Sequence, residues 1–315
     1  MESDREELLT RLKARAVEYA CANYLAGLAA LNRAEVYTSL VFDRLKRKMR
    51  LVEQLFIEAS EDWNQTFYML YLRTLGDLKN QQAYLELSQR VPYRIVLRER
   101  ENPYAVEALL MGASGLLNDF RHDDYTEKLA ETFSYLAAKY EIEPMSSDVW
   151  NLADMRPANH PILRMAEAAA FFRQDDFVAD RTLGCRTADD IYRIFGVEAS
   201  EYWRTTHLSG LPVSDQPRRI GRFKSHIIGI NLVAIYQFAY GSYIGDDGLR
   251  DRALTLLERL AAERNRYITA WCSAAVLKPA NAFETQALLQ LATEYCARTR
   301  CAVCPVGQRI IASVG

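Results

Sequence analysis

Apolar residues in this chain recur every three or four positions and almost never every second one. Tyr125, Leu129, Phe133, Leu136 and Tyr140 step by four, four, three and four. Leu249, Ala253, Leu256, Leu257 and Leu260 repeat the pattern after Asp246, and Val41, Leu45, Val52, Leu55 and Phe56 share one face. This is the spacing of amphipathic helices; strands need alternation. The one strand-like run, Val91 to Leu97, would leave its backbone unpaired if it stood alone. It reads as a short helix with Pro92 near its start. The expected fold is all-α, with about a dozen helices in one compact body. No fixed-period repeat is visible, so a simple solenoid is not supported.

Helix punctuation agrees with the periodicity. Ser3 with Glu6, Asn32 with Glu35 and Asn281 with Glu284 have capping-box spacing. Ser60 and Asp77 read as helix starts, Gly76 and Pro144 as stops, and Asn102-Pro103 as a cap followed by proline in the first turn. Loop-forming residues concentrate at 143–161 and 209–221. The first of these is the expected meeting point of two lobes, 1–150 and 151–315. Ile227 to Tyr240 is apolar on all faces and is expected to be the most buried helix. That run is shorter than the roughly 20 residues a bilayer requires. The first residues are charged and lack the apolar core of a signal peptide, so a cytoplasmic location is expected.

Charge excludes a basic nucleic-acid coat. Lys and Arg number 39 against 41 Asp and Glu, a net charge of −2. Six cysteines in 315 residues do not make a disulfide scaffold; in a reducing compartment they are thiols or metal ligands. Three of them, Cys296, Cys301 and Cys304, have C-x4-C-x2-C spacing near the end of the chain. Three thiolates so placed suit a thiophilic ion, with zinc expected before iron–sulfur. The fourth ligand is open between Cys21, Cys185, Cys272 and a histidine. The plain alternative is three half-buried thiols at a helix end.

Two further segments carry candidate chemistry. Arg156-Pro-Ala-Asn159-His160-Pro161, with Arg164 one turn on, places arginines and an amide at a helix start, suited to an anion. Its structural alternative is a cap at Asn159 or His160. Arg218-Arg-Ile-Gly221-Arg222-Phe-Lys224 puts four cations around a glycine and is loosely similar to a helix–hairpin–helix DNA motif lacking its second glycine. Such a run, like Arg44 to Arg50, is ordinarily a solvated face. Asn231, inside the apolar helix, must find partners, and Glu263 lies near a helix junction. The four histidines have no H-x3-H spacing, and no P-loop, dinucleotide or nucleophile-elbow motif occurs.

Several strings occur in one order: Glu107-Ala-Leu-Leu-Met-Gly112-Ala-Ser-Gly115, the 156–161 segment with Arg164, Tyr202-Trp203, Ile230-Asn231, Tyr240-Gly241, Glu263-Arg-Asn265, and Gln286 to Leu291 with Tyr295-Cys296 and Cys301-x-x-Cys304. Together they resemble an uncharacterised bacterial family, domain of unknown function 2851, from about Cys21 onward. The resemblance implies that longer members begin with a domain similar to PD-(D/E)XK nucleases. This chain starts within the helical portion and has no D…E-x-K constellation, as a truncated or short natural form would. Two functions are therefore expected. One is a non-catalytic helical binding module, associated with nucleic acid beside a nuclease-like domain. The other is an enzyme or small-anion binder, with a pocket between the lobes lined by Arg156, Asn159, Arg164, Lys224, Asn231 and Glu263, and with Arg222 among the anion-binding cations.

Overall fold

The computed structural model describes residues 2–120, 123–153 and 155–313, with the side chains of Glu2 and Ser3 outside that description. Among the described residues there is no strand or sheet; extended pairing is confined to isolated bridges at Thr206–Pro212 and Ala261–Asn281. The all-α expectation holds. Val91 to Leu97 is helical, in Tyr93–Glu99 with Pro92 as its N-cap residue.

The chain divides into two compact units, one of residues 1–51 with 238–315 and one of residues 52–237. The loop at 143–161 therefore lies inside the second unit. Physical ties hold it there: Trp150 Nε1 donates to Ser114 O at 2.8 Å, and the Asn80 side chain exchanges two hydrogen bonds with the Asn151 backbone. Loop-like composition marked irregular backbone, not a break between bodies.

In the first unit, helix Glu2–Ala14 packs against Pro305–Ala312, and Ala282–Gln290 packs against Asp247–Arg259 and Arg266–Ala274. The second unit is built around helices Trp63–Leu75 and Pro161–Phe172. Their aromatic side chains interlock: Tyr71 stacks on Phe171 at 4.7 Å, Phe171 on Phe195 at 4.9 Å, and Tyr68 meets Phe172 edge-on at 5.0 Å. All five rings are fully buried.

Caps differ from expectation at several starts. Asp62, not Ser60, caps Trp63–Leu75 by accepting from Asn64 N and Gln65 N; Ser60 and Glu61 form the left-handed turn before it. Helix Ala30–Glu58 begins ahead of Asn32, and Arg33 reaches back to the Ala26 and Leu28 carbonyls instead. Asp77 adopts a positive φ in a turn, and the next helix begins at Gln81. Asn102 accepts from Tyr104 N ahead of Ala105–Ala113, and the helix Asp124–Tyr140 ends at Glu141 in the left-handed region, before Pro144. Asp246, and Asn281 with Glu284, act as helix-start residues as read. The Ser3 cap lies outside the described residues.

The apolar run belongs to a continuous helix, Arg222–Ile244, with a π-helical stretch at Gly229–Val233. By length and composition that helix could cross a membrane, but 67% of its most apolar window is buried within the fold.

The aromatic layer supplies the test of this core. Phe171→Ala should lower the unfolding free energy by about 3–5 kcal/mol, because four neighbouring rings cannot collapse into the void. Urea denaturation followed by circular dichroism measures it. A loss under 1 kcal/mol, about the scale of a surface change, would show the layer is not a load on stability.

Candidate functional site

Helix Trp63–Leu75 ends at Gly76, and its last carbonyls are met by a buried ammonium. Lys224 Nζ donates to Thr74 O at 3.0 Å, to Leu75 O at 3.2 Å and to Asp77 Oδ1 at 2.5 Å. Cations are stabilised at helix C-termini. Burial lowers the Lys224 pKa, with Asp77 opposing that shift. Gly76 is required by the turn: a Cβ there would stand 2.5 Å from the Asn80 carbonyl carbon.

The second half of the site is built by the 156–161 segment. His160 caps helix Pro161–Phe172, its Nδ1 accepting from Ile162 N at 3.3 Å. Burial lowers the His160 pKa, which favours the neutral ring this acceptor role needs. Asn159 is thereby released from capping, and its Oδ1 accepts from Arg164 Nη2 at 2.7 Å. Arg164 Nη1 pairs with Glu167 at 2.6 Å, and both side chains are buried. Burial raises the Glu167 pKa, with Arg164 as the main opposing influence.

These groups surround a cavity of about 360 Å³ lined by Gly76, Asp77, Lys79, Asn80, Arg156 and Asn159, among others. Arg156 and Asn159 are on its wall, whereas Lys224 and Arg164 stand behind it, holding Asp77 and Asn159. Buried Lys224 pairs with Asp77, which is exposed on the wall, and Arg164 pairs with Glu167, both buried. Two cations on the wall are left. Lys79 donates to the Ala153 carbonyl at 2.7 Å, and neither it nor Arg156 has a carboxylate partner among the described residues.

The structure thus brings together four of the predicted residues, Arg156, Asn159, Arg164 and Lys224, inside the second unit. Asn231 is elsewhere, in the π-helical stretch, its amide donating to Ile227 O within its own helix. Glu263 belongs to the first unit, where it accepts from Gln286, which in turn accepts from Arg44. Arg44 and Arg47 of the basic run are therefore tied to Gln286 and Gln290 and are not a solvated face. Arg222 pairs with Asp189 at 2.9 Å and lies over the Tyr192 ring. Arg219 pairs with Glu198, and Arg218 donates to Trp203 O.

Sequence reading missed Asp77, Lys79 and Glu167 as site residues. Glu167 lies three residues from Arg164 on one helix face, a spacing that could have revealed it. It also missed a second polar centre. Glu107, 3% exposed, accepts from Trp203 Nε1 at 2.7 Å and from Tyr125 OH at 2.8 Å. Burial raises its pKa against those hydrogen bonds.

The four cysteines Cys21, Cys296, Cys301 and Cys304 line one small cavity in the first unit. All are free thiols. Burial pushes the Cys21 thiol up to about 12 and raises the other three. Among the described residues, no three of His, Cys, Asp and Glu are placed to share a single ion.

The family model for "Protein of unknown function (DUF2851)" matches residues 2–266. The chain belongs to this family. Within DUF2851, the match takes in the whole 52–237 unit and the cavity at Arg156, while Cys296, Cys301 and Cys304 lie beyond it. No curated protein and no solved structure matches this DUF2851 chain.

The raised pKa of Glu167 has a measurable sign. Its folded value lies above its ordinary 4.5, so the folded chain keeps a proton that the unfolded chain has lost. That stabilisation is complete below 4.5 and disappears as pH rises through the folded value. The wild type is expected to lose stability relative to Glu167→Gln as pH climbs from 4.5 toward neutrality, read from denaturant midpoints. A stability difference constant across that range would contradict the buried carboxyl.

Proposed function

We propose that the 52–237 unit is a binding module for a small organic anion, held in the cavity between Asp77 and Arg156. The observation that carries this reading is the arrangement of charge. The buried Arg164–Glu167 pair cancels behind the wall and Asp77 on the wall neutralises buried Lys224, while the Arg156 guanidinium and Lys79 on the wall lack carboxylate partners among the described residues. The Asn159 oxygen is occupied by Arg164, so its amide N–H groups are the part left to donate outward. Arg156 offers a planar fork of donors matched to carboxylate or phosphate. Asp77 keeps a second oxygen beyond the one Lys224 holds, and it accepts from a hydroxyl or ammonium on the same ligand. A ligand with an acidic group at one end and a donor at the other meets both.

An accessory nucleic-acid role beside a nuclease-like domain, which the family resemblance suggests, draws less support. Gripping phosphates needs uncompensated cations, and Arg219 and Arg222 of the basic turn are each met by a carboxylate.

Titration calorimetry with a hydroxy-dicarboxylate, with inorganic phosphate, and with short single- and double-stranded DNA at low salt separates these readings. One of the two small anions is expected to bind. Arg156→Ala should weaken it by about 10–100-fold, the loss of one charge-assisted contact of about 1.5–3 kcal/mol. Heat from neither anion, or binding indifferent to Arg156→Ala, would overturn the proposal.

A further inference from the structure

The second cavity, in the first unit, points to a different chemistry. Its wall holds four of the chain's six cysteines, drawn from segments far apart in sequence. Cys21 immediately precedes helix Ala22–Gly27. Cys296 closes the π-helical segment Leu291–Cys296, Cys301 opens the short helix Cys301–Val303, and Cys304 precedes Pro305–Ala312. Packing alone does not ask for sulfur at all four places, since leucine or alanine would fill an apolar gap as well. The remaining lining is Leu12, Ala16, Ala20, Tyr295 and Gly307.

Three local devices bring the cysteines to one cavity. The π turn, closed by Ala297 N donating to Ala292 O, sets Cys296 at its end, and such turns recur at functional sites. Gly307 lets the last helix press against the cysteine loop: a Cβ there would stand 2.1 Å from the Cys301 carbonyl oxygen. The backbone amides of Val306 and Gly307 act on the Cys304 sulfur, the kind of N–H contact that tunes metal-bound thiolates.

We propose that Cys21, Cys296, Cys301 and Cys304 are the four thiolate ligands of an iron–sulfur cluster. The C-x4-C-x2-C spacing is that of the ligand triad in plant-type [2Fe–2S] centres, whose fourth cysteine follows the triad; here the structure supplies the distant member from the other side of the sequence, as Cys21. Zinc, the ion the spacing first suggested, needs all four sulfurs on one atom. These sulfurs stand around a cavity and no three are placed to share one ion. A cluster distributes its thiolates over several irons and does not ask three of them to meet at one ion. Loading a [2Fe–2S] centre exchanges four S–H protons for four Fe–S bonds and requires two ferric ions and two sulfides, with no change in the oxidation state of iron or of the cysteines. Cys301 and Cys21 are only half-buried, which leaves an approach for those reagents.

The test is anaerobic purification from iron-supplied cells, with reconstitution of the metal-free chain by ferric iron and sulfide as a second preparation. Both should give brown protein with iron and acid-labile sulfide in matching amounts and a paramagnetic signal after reduction or oxidation. Cys21→Ser should abolish the bound sulfide as fully as Cys301→Ser, while Cys272→Ser, outside the cavity, keeps it. Alkylation mapped by mass spectrometry covers the case in which a variant fails to fold. In loaded wild type the four cysteines should be protected and Cys272 labelled, and chelation of iron should expose all four. Zinc in place of iron, no metal in either preparation, or a cluster that survives Cys21→Ser would overturn the assignment.

Discussion

A single buried ammonium organises the candidate anion site. Lys224 is 5% exposed and sits at the C-terminal end of helix Trp63–Leu75, where the final carbonyls have no intrahelical partner. Leaving those carbonyls dry and unmet would cost about 1–3 kcal/mol each, and leaving the ammonium dry would cost several kcal/mol. Each solves the other's problem. The turn that follows is then fixed: Gly76 passes close to Asn80, Asp77 folds back onto the ammonium, and Lys79 and Asn80 are aimed at the 151–153 backbone. The cavity wall is the outer face of that turn.

The opposite wall rests on a division of labour between neighbours. His160 and Asn159 were both competent to cap the helix at Pro161. Because the imidazole takes that role, the amide turns to Arg164, and the Arg164–Glu167 pair becomes fully buried. A buried ion pair of this kind adds little net stability over an apolar pair of equal size, since desolvation offsets the attraction. Its value is positional. It holds the Asn159 oxygen at the cavity edge, and it leaves Arg156 as the guanidinium on the wall.

Periodicity made the fold class legible because helices write their period into the local sequence. Tyr125 to Tyr140 could be read directly, and so could Pro92 as the start of a short helix. Caps were less legible, since several polar residues near a boundary can each serve. Ser60 and Asp62 are such a pair, and only the backbone decides that Ser60 enters the left-handed region. The site was half legible. Arg156, Asn159, Arg164 and Lys224 were named from two separate segments and do converge. Asp77, which joins them, was invisible because its partner is 147 residues away. Glu263 and Asn231 looked similar in sequence, being polar residues in apolar surroundings, yet each satisfies itself within its own neighbourhood.

The cysteines show the same limit from the other side. Spacing could group Cys296, Cys301 and Cys304, because four and two intervening residues force proximity. It could not choose among Cys21, Cys185 and Cys272 for a fourth, since loop closure over hundreds of residues leaves no local trace. What chooses is the packing of helix Pro305–Ala312 on Glu2–Ala14, which carries the tail to the start of the chain. Cys185 lies in the other unit, where its carbonyl accepts from Gln237, a buried amide that also ties down Thr182 and Leu183. Cys272 does not line the cavity, which leaves Cys21 as the thiol beside the tail. The two chain ends thus define the sulfur-lined cavity by the same contact that makes them one unit, so any ligand held there would tighten the closure of the first unit itself.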